Sequence, residues 1–147
     1  MAQDVNVILI NYLQTCTTLG ALIGYSAGLP VVPARIYCPR IPDTGVLPCL
    51  ALRVRGGKST PYIPPLVSPS FQFDCWANDP ITARQIYNAL YDALQGIQNT
   101  QVNVGGTNYL LMSAIEEVQG QDLVDPPELP KYYRVLSFFT VNIRASN

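Results

Sequence analysis

Few residues of this chain are of types and spacing that could do chemistry. Gly57-Lys58-Ser59 has the form of the closing triplet of a phosphate-binding loop, where a lysine and a hydroxyl meet phosphates cradled by backbone N–H groups. That loop requires a glycine five positions before Gly57, and Leu52 stands there, in a strand-like run. It also requires a helix to follow, which the prolines at 61, 64 and 65 forbid. The phosphate-binding reading is therefore rejected. Glu116-Glu117 with Asp122, Asp125 and Glu128 could form a metal or general acid/base cluster. Neighbours on a strand point to opposite faces, so Glu116 and Glu117 cannot chelate together, and a solvated acidic loop explains the other three. Arg53, Arg55 and Lys58 form the one basic cluster. Arginines at i and i+2 share a sheet face, where they could meet phosphate or an acidic partner, or simply keep that face wet.

Composition narrows the chemistry further. The 147 residues contain no histidine, which removes Ser-His-Asp and Cys-His catalysis and every imidazole-based zinc site. Cys16, Cys38, Cys49 and Cys75 are too widely spaced for paired zinc ligands, so four reduced thiols in or near a core are expected. Neither cofactor nor metal is implied. Nine Lys and Arg against ten Asp and Glu give a formal net charge of −1, which does not suit bulk electrostatic binding of nucleic acid. Charged residues are 13% of the chain, against roughly 25% in an average soluble domain. A single domain of this size exposes much surface, so this deficit points to surface hidden against other subunits or covered with neutral polar groups. Trp76 and the nine tyrosines could stack on bases or sugars, but with so little basic charge they fit a subunit interface better.

The elements that must position these residues read as one α+β domain over residues 1–147. Asp4 caps a helix in which Val5, Ile8, Leu9, Tyr12 and Leu13 recur at helical spacing; it is expected to end in the Thr15–Gly20 region, where Thr17, Thr18 and Gly20 continue a helix poorly. Asn6, Asn11 and Gln14 interrupt this apolar start and no basic residue precedes it, so neither a signal peptide nor a membrane span is expected, but a soluble protein. An irregular connection over 24–33 precedes a short strand at Ala34–Tyr37. Cys49–Arg55 is a strand with Leu50, Leu52 and Val54 on one face, stopped by Gly56-Gly57. Phe71–Trp76 alternates in the same way. Asp79 as N-cap, Pro80 at the first position and Gly96 beyond the end bracket a helix over Asp79–Gln95. Gly105-Gly106 is a turn into a strand at Asn108–Val118. Tyr132–Arg144 is the last strand, with Val135, Ser137, Phe139, Val141 and Ile143 on one face. The expected sheet is mixed or antiparallel, of four to five strands, with the N-terminal helix and the second, long helix packed against it. Extended proline-rich loops are expected at about 56–70 (Lys58–Pro69 at its heart) and 119–131.

This order of elements carries a resemblance. "LGALIG" at 19–24, "RIY" at 35–37, "LALRVRGG" at 50–57, "FQFDCWANDPITARQIYNALYDAL" at 71–94 and "YYRVLSFFTVNIRA" at 132–145 together make the chain similar to the tail-terminator or tail-completion proteins of long-tailed bacteriophages. The resemblance implies a non-enzymatic virion protein, assembled in the host cytoplasm and located in the neck region of the tail. It implies a homo-oligomeric ring, a hexamer, that caps the tail tube, stops its polymerisation and offers a joining surface to the head connector or stopper. DNA would pass through its channel without sequence-specific binding, and no membrane is involved. In that setting Arg53, Arg55, Lys58 and Trp76 are candidates for intersubunit or channel contacts. Tyr62, Ile63, Leu66, Asp122, Asp125 and Glu128 are candidates on the two docking loops. Another small neck protein is the nearest alternative. From a different class, a small-ligand-binding domain or enzyme would use Asp74, Glu116 or Lys131, and a single-stranded nucleic-acid binder would use Trp76 and the tyrosines.

Overall fold

The Asp4 carboxylate accepts a hydrogen bond from Asn6 N at 2.7 Å and opens helix α1, Val5–Leu13, which buries Ile8, Leu9 and Leu13. The computed structural model describes residues 4–23, 35–41, 47–59, 66–124 and 133–146. The first helix, expected to end within Thr15–Gly20, stops at Leu13, and Thr17–Ile23 then forms a second one, α2, within the stretch expected only to end the first. Leu19 and Ile23 are fully buried there, and α2 packs on the long helix described below. That burial outweighs the weak helix propensity of threonine and glycine. The connection over 24–33 lies outside the described residues.

The strands are β1 (Ile36–Tyr37), β2 (Cys49–Ser59) and β3 (Leu66–Ala77), then β4 (Thr100–Val104), β5 (Thr107–Val124) and β6 (Tyr133–Ser146). Helix α3, Pro80–Leu94, lies between β3 and β4. The strands form one sheet in the order β1-β2-β3-β6-β5-β4, antiparallel except for the β1–β2 pair. The α+β class and the helix-on-sheet arrangement are as the sequence predicts. The strand count is six rather than four to five, because Thr100–Val104 makes a hairpin with β5 across Gly105-Gly106. Helix α1 touches both β2 and β4, the second and last strands in the order, so the sheet curls around its helical side.

Alternation decides the two faces. Leu50, Leu52, Phe71, Phe73, Phe139 and Val141 are buried toward the helices, with Phe73 and Phe139 meeting edge to face at 5.6 Å. Such a pair adds about 0.5–1.5 kcal/mol beyond the area it buries. Helix α3 starts as predicted: the Asp79 carboxylate accepts from Ile81 N at 3.2 Å and from the Thr82 hydroxyl at 3.1 Å. A cap of this kind contributes about 1 kcal/mol. Its buried stripe includes Ala83, Ile86, Leu90 and Leu94.

Strand pairing reaches into both segments expected to be loops. Gly56-Gly57 does not stop β2: the register shifts between Val54 and Gly57, and pairing resumes at Gly57↔Pro69, Lys58↔Ser68 and Ser59↔Val67. Two glycines at positive φ (110° and 140°) make a bulge, which bends a strand without ending it. Pro69, which has no N–H to give, is tolerated where the β3–β6 pairing is interrupted, between Val67↔Ile143 and Ser70↔Thr140. At the other end β5 continues past Val118 to Val124 through register shifts, so Gln119–Val124 is strand. Gly120 permits this, because a Cβ there would lie 2.8 Å from both Tyr87 Cε1 and Val135 Cγ1. Residues 60–65 and 125–132 lie outside the described residues.

Candidate functional site

The face of the sheet turned away from the helices gathers most of the polar residues singled out above. Arg53 and Arg55 both project from it, as their i, i+2 spacing requires. Arg53 Nη2 donates to Gln72 Oε1 at 3.0 Å. Arg55 Nε donates to Ser70 Oγ at 3.0 Å and its Nη2 to Glu117 Oε2 at 2.7 Å. Between β2 and β5 lie two strands, a span of about 14 Å. Arg55 and Glu117 reach toward each other across it, with the Arg55 guanidinium 3.9 Å from the centre of the Phe138 ring. Glu117 also accepts from the Thr140 hydroxyl. That hydrogen bond, with those of Ser70 and Arg55 and the Arg55 charge, holds the Glu117 carboxyl below the usual glutamate range against the opposing pull of burial.

Lys58, past the bulge, is exposed and lines an open depression of about 510 Å3 with Arg55, Ser68, Ser70, Glu117 and Thr140. Beside it Ser68 Oγ donates to Asn142 Oδ1 and Asn142 Nδ2 donates to Ser113 Oγ, both at 2.6 Å. Toward the other end of the same face Trp76 is half-buried under the Arg134 guanidinium, 5.0 Å from its ring. Arg134 Nη1 is 3.9 Å from Asp74 Oδ1, which has no hydrogen-bond partner, while Asp74 Oδ2 accepts from Gln72 Nε2 at 3.4 Å. Burial raises the Asp74 carboxyl above its ordinary value, against the opposing pull of Arg134.

The acidic candidates do not come together. Glu116 and Glu117 take opposite faces, as strand alternation requires: Glu116 accepts from the Tyr87 hydroxyl at 2.5 Å on the helical side. Burial, and then that hydrogen bond, push Tyr87 up to about 12. Asp122 belongs to strand β5 rather than to a loop, exposed and 3.7 Å from Arg84 Nη1 on α3. Leu66 is half-buried at the first position of β3, opposite Arg144. Tyr62, Ile63, Asp125, Glu128 and Lys131 lie outside the described residues. Among the described residues no three His, Cys, Asp or Glu side chains gather as metal ligands, and no helix is long and apolar enough to cross a membrane. The four cysteines are unbridged; Cys49 and Cys75 are buried, Cys16 half-buried and Cys38 exposed.

The partners Ser70, Glu117, Thr140 and Asn142 were not legible as a group in the sequence. They come from three strands, and the register that aligns them depends on the bulges in β2 and β5.

No protein-family model and no curated protein matches this chain. Among solved structures, the fold is shared with a chain of the "Virion of native gene transfer agent (GTA) particle". The TM-score is 0.60 at 15% identity, over 95% of this chain and 94% of that one. The likeness therefore covers nearly the whole of both chains.

Proposed function

We propose that this chain is a structural, non-enzymatic subunit of a phage-like virion. It forms a ring, a hexamer, at the head-proximal end of the tail. The ring stops tail-tube polymerisation and offers the surface that joins the filled head, while DNA passes through its channel unread. The observation that carries this reading is the whole-length likeness of fold to a virion chain. It agrees with the order of sequence segments from 19–24 to 132–145.

Two features of the sheet support it. Its outer polar side chains are engaged with one another across strands, as in Arg55–Glu117–Thr140 and Ser68–Asn142–Ser113, which suits a stiff part better than a reaction centre. The two proline-rich segments also leave from opposite ends. Ser59 and Leu66 bound residues 60–65 beside Arg144, whereas Val124 and Tyr133 bound residues 125–132 beside Ala77. Leu66 and Ala77 are eleven steps apart on β3, about 35 Å. Such a subunit can meet the tail tube at one end and the connector or stopper at the other.

The test is genetic and visual. Deleting the gene should leave tails of uncontrolled length that fail to join heads, and the purified protein, alone or with tubes, should show rings with a central hole in negative stain. Unchanged tail length and head joining after deletion overturn the reading.

A further inference from the structure

Charge is unevenly placed on this molecule. The outer sheet face carries Arg53, Arg55, Lys58, Arg134 and Arg144, five of the nine cations in the chain, against Asp74 and Glu117. The helical side carries Asp4, Asp79, Asp92, Glu116 and Asp122 against Arg84. Among the described residues the outer face thus carries a formal +3 and the helical side −4, with Arg35 and Arg40, which flank β1, counted on neither. Apolar groups lie within both. Ile115 is 56% exposed on the outer face, which also carries half-buried Leu136 and Phe138, and Ile81 on α3 is 66% exposed.

We propose that the outer sheet face of one copy docks on the helical side of the next copy. This rests on the ring of the preceding section and specifies its contact. The two surfaces differ, so the contact is head-to-tail, the kind that repeats around an axis and closes a ring. Opposite charge sets the pairing and its orientation, and Ile115, Phe138 and Ile81 supply apolar area between the charges. A second copy fits the outer face better than DNA does. Arg55 is committed to Glu117 and Phe138, and Arg134 to Asp74 and Trp76, so few cations are left to displace counterions from phosphates. Arginine set among aromatic rings is the composition of a protein interface.

The test is a charge exchange between two variants of the full chain, followed by sedimentation at about 50 mM and about 500 mM salt, where screening differs several-fold in range. One variant carries Arg53→Glu and Lys58→Glu, the other Asp92→Lys and Asp122→Lys. All four positions are exposed, and circular dichroism with a melting curve checks that each variant is folded. The neutral pairs Arg53→Gln/Lys58→Gln and Asp92→Asn/Asp122→Asn replace any variant that is not. The wild type should associate at low salt and weaken at high salt. Each reversed variant should associate at least about tenfold more weakly alone, because like charges then face each other. An equal mixture should assemble again, since the reversed sheet face meets the reversed helical side; with the neutral pairs, the weakening and a lost salt dependence are the readout.

Variants that assemble as the wild type does, or reversed variants whose mixture does not recover, overturn the inference. So does a sheet-face variant that assembles normally but loses affinity for duplex DNA in a gel-shift assay, which would assign that face to nucleic acid. A wild type that stays monomeric at low salt also overturns it. Ring formation on added tubes is scored separately, and its absence counts against the preceding section.

Discussion

Gly57 is the position where a single methyl group should be felt most sharply. Its φ is +140°, a backbone region that side chains rarely enter. A Cβ built there collides with the Ser68 carbonyl oxygen and lies 2.6 Å from Pro69 Cα and 3.0 Å from Ser70 N. All three are backbone atoms of the paired strand, so no side chain can swing aside. Gly57→Ala can relax in two ways. The residue can hold its place at a strain of about 1–3 kcal/mol, with the neighbouring strand pushed outward. Alternatively the hairpin end opens, losing pairs Gly57↔Pro69, Lys58↔Ser68 and Ser59↔Val67 at about 0.5–1.5 kcal/mol net per hydrogen bond. Strain together with the displaced strand in the first route, or three lost pairs in the second, comes to about 2–4 kcal/mol. For a domain of this length each kcal/mol lowers Tm by about 2–4 °C, so a fall of roughly 5–15 °C is expected by calorimetry. Gly56→Ala is the control. Its φ is +110°, but a Cβ there meets nothing within 4 Å, so it carries backbone strain alone, about 1–2 kcal/mol. Should Gly57→Ala melt at or above Gly56→Ala, the close approach of β2 to β3 beyond the bulge would be refuted.

The two carboxylates of the outer face should respond to acid in opposite senses. Glu117 has a folded pKa below its unfolded value, so its contribution is present above the ordinary glutamate pKa and is lost as pH falls through the folded one. Glu117→Gln should therefore lose about 1 kcal/mol at pH 7, the scale of a partly exposed pair, and nothing in strong acid, as read from Tm against pH. Asp74 has a raised folded pKa, so its charge opposes folding above that pKa and the penalty fades as pH falls through it toward the ordinary 3.8. Asp74→Asn should raise Tm at pH 7, with the gain gone at low pH; a lowered Tm at pH 7 would mean that the Arg134 pair outweighs burial. In a thiol titration of the native protein Cys38 should react first and Cys16 slowly. Cys49, whose thiol burial pushes up to about 12, and Cys75 should wait for denaturant.

Legibility in the sequence followed how local each signal was. Helix α3 was readable because its cap, its first-position proline and its stripe all lie within seventeen consecutive residues of one segment, Asp79–Gln95. Strand β6 was readable because six alternate positions from Tyr133 to Ile143 share the core face without interruption. Strand β4 had a usable signal: Thr100, Val102 and Val104 alternate up to the Gly105-Gly106 turn, the pattern of a hairpin arm. Helix α2 had none, since Thr17–Gly20 becomes helical only when Leu19 and Ile23 have α3 to bury against. The glycine pair at 56–57 is ambiguous by nature, because a strand end and a bulge call for the same residues.

The same distinction separates the two halves of the polar face. That Arg53 and Arg55 share a side follows from spacing alone. Their partners do not, because Gln72 is 19 residues from Arg53 and Glu117 is 62 from Arg55. The pairing of β2 with β3, and of β6 with both β3 and β5, brings those partners near, and two bulges aim them. Charge segregation lies further still from local view. The five outer cations come from residues 53–58 and 134–144, and the acids of the helical side are scattered from Asp4 to Asp122. No window of sequence contains that asymmetry; strand order creates it. In a chain with 13% charged residues, which cannot cover its whole surface with charge, placing the two signs on opposite sides leaves each side short of counter-charges. Another copy can supply them.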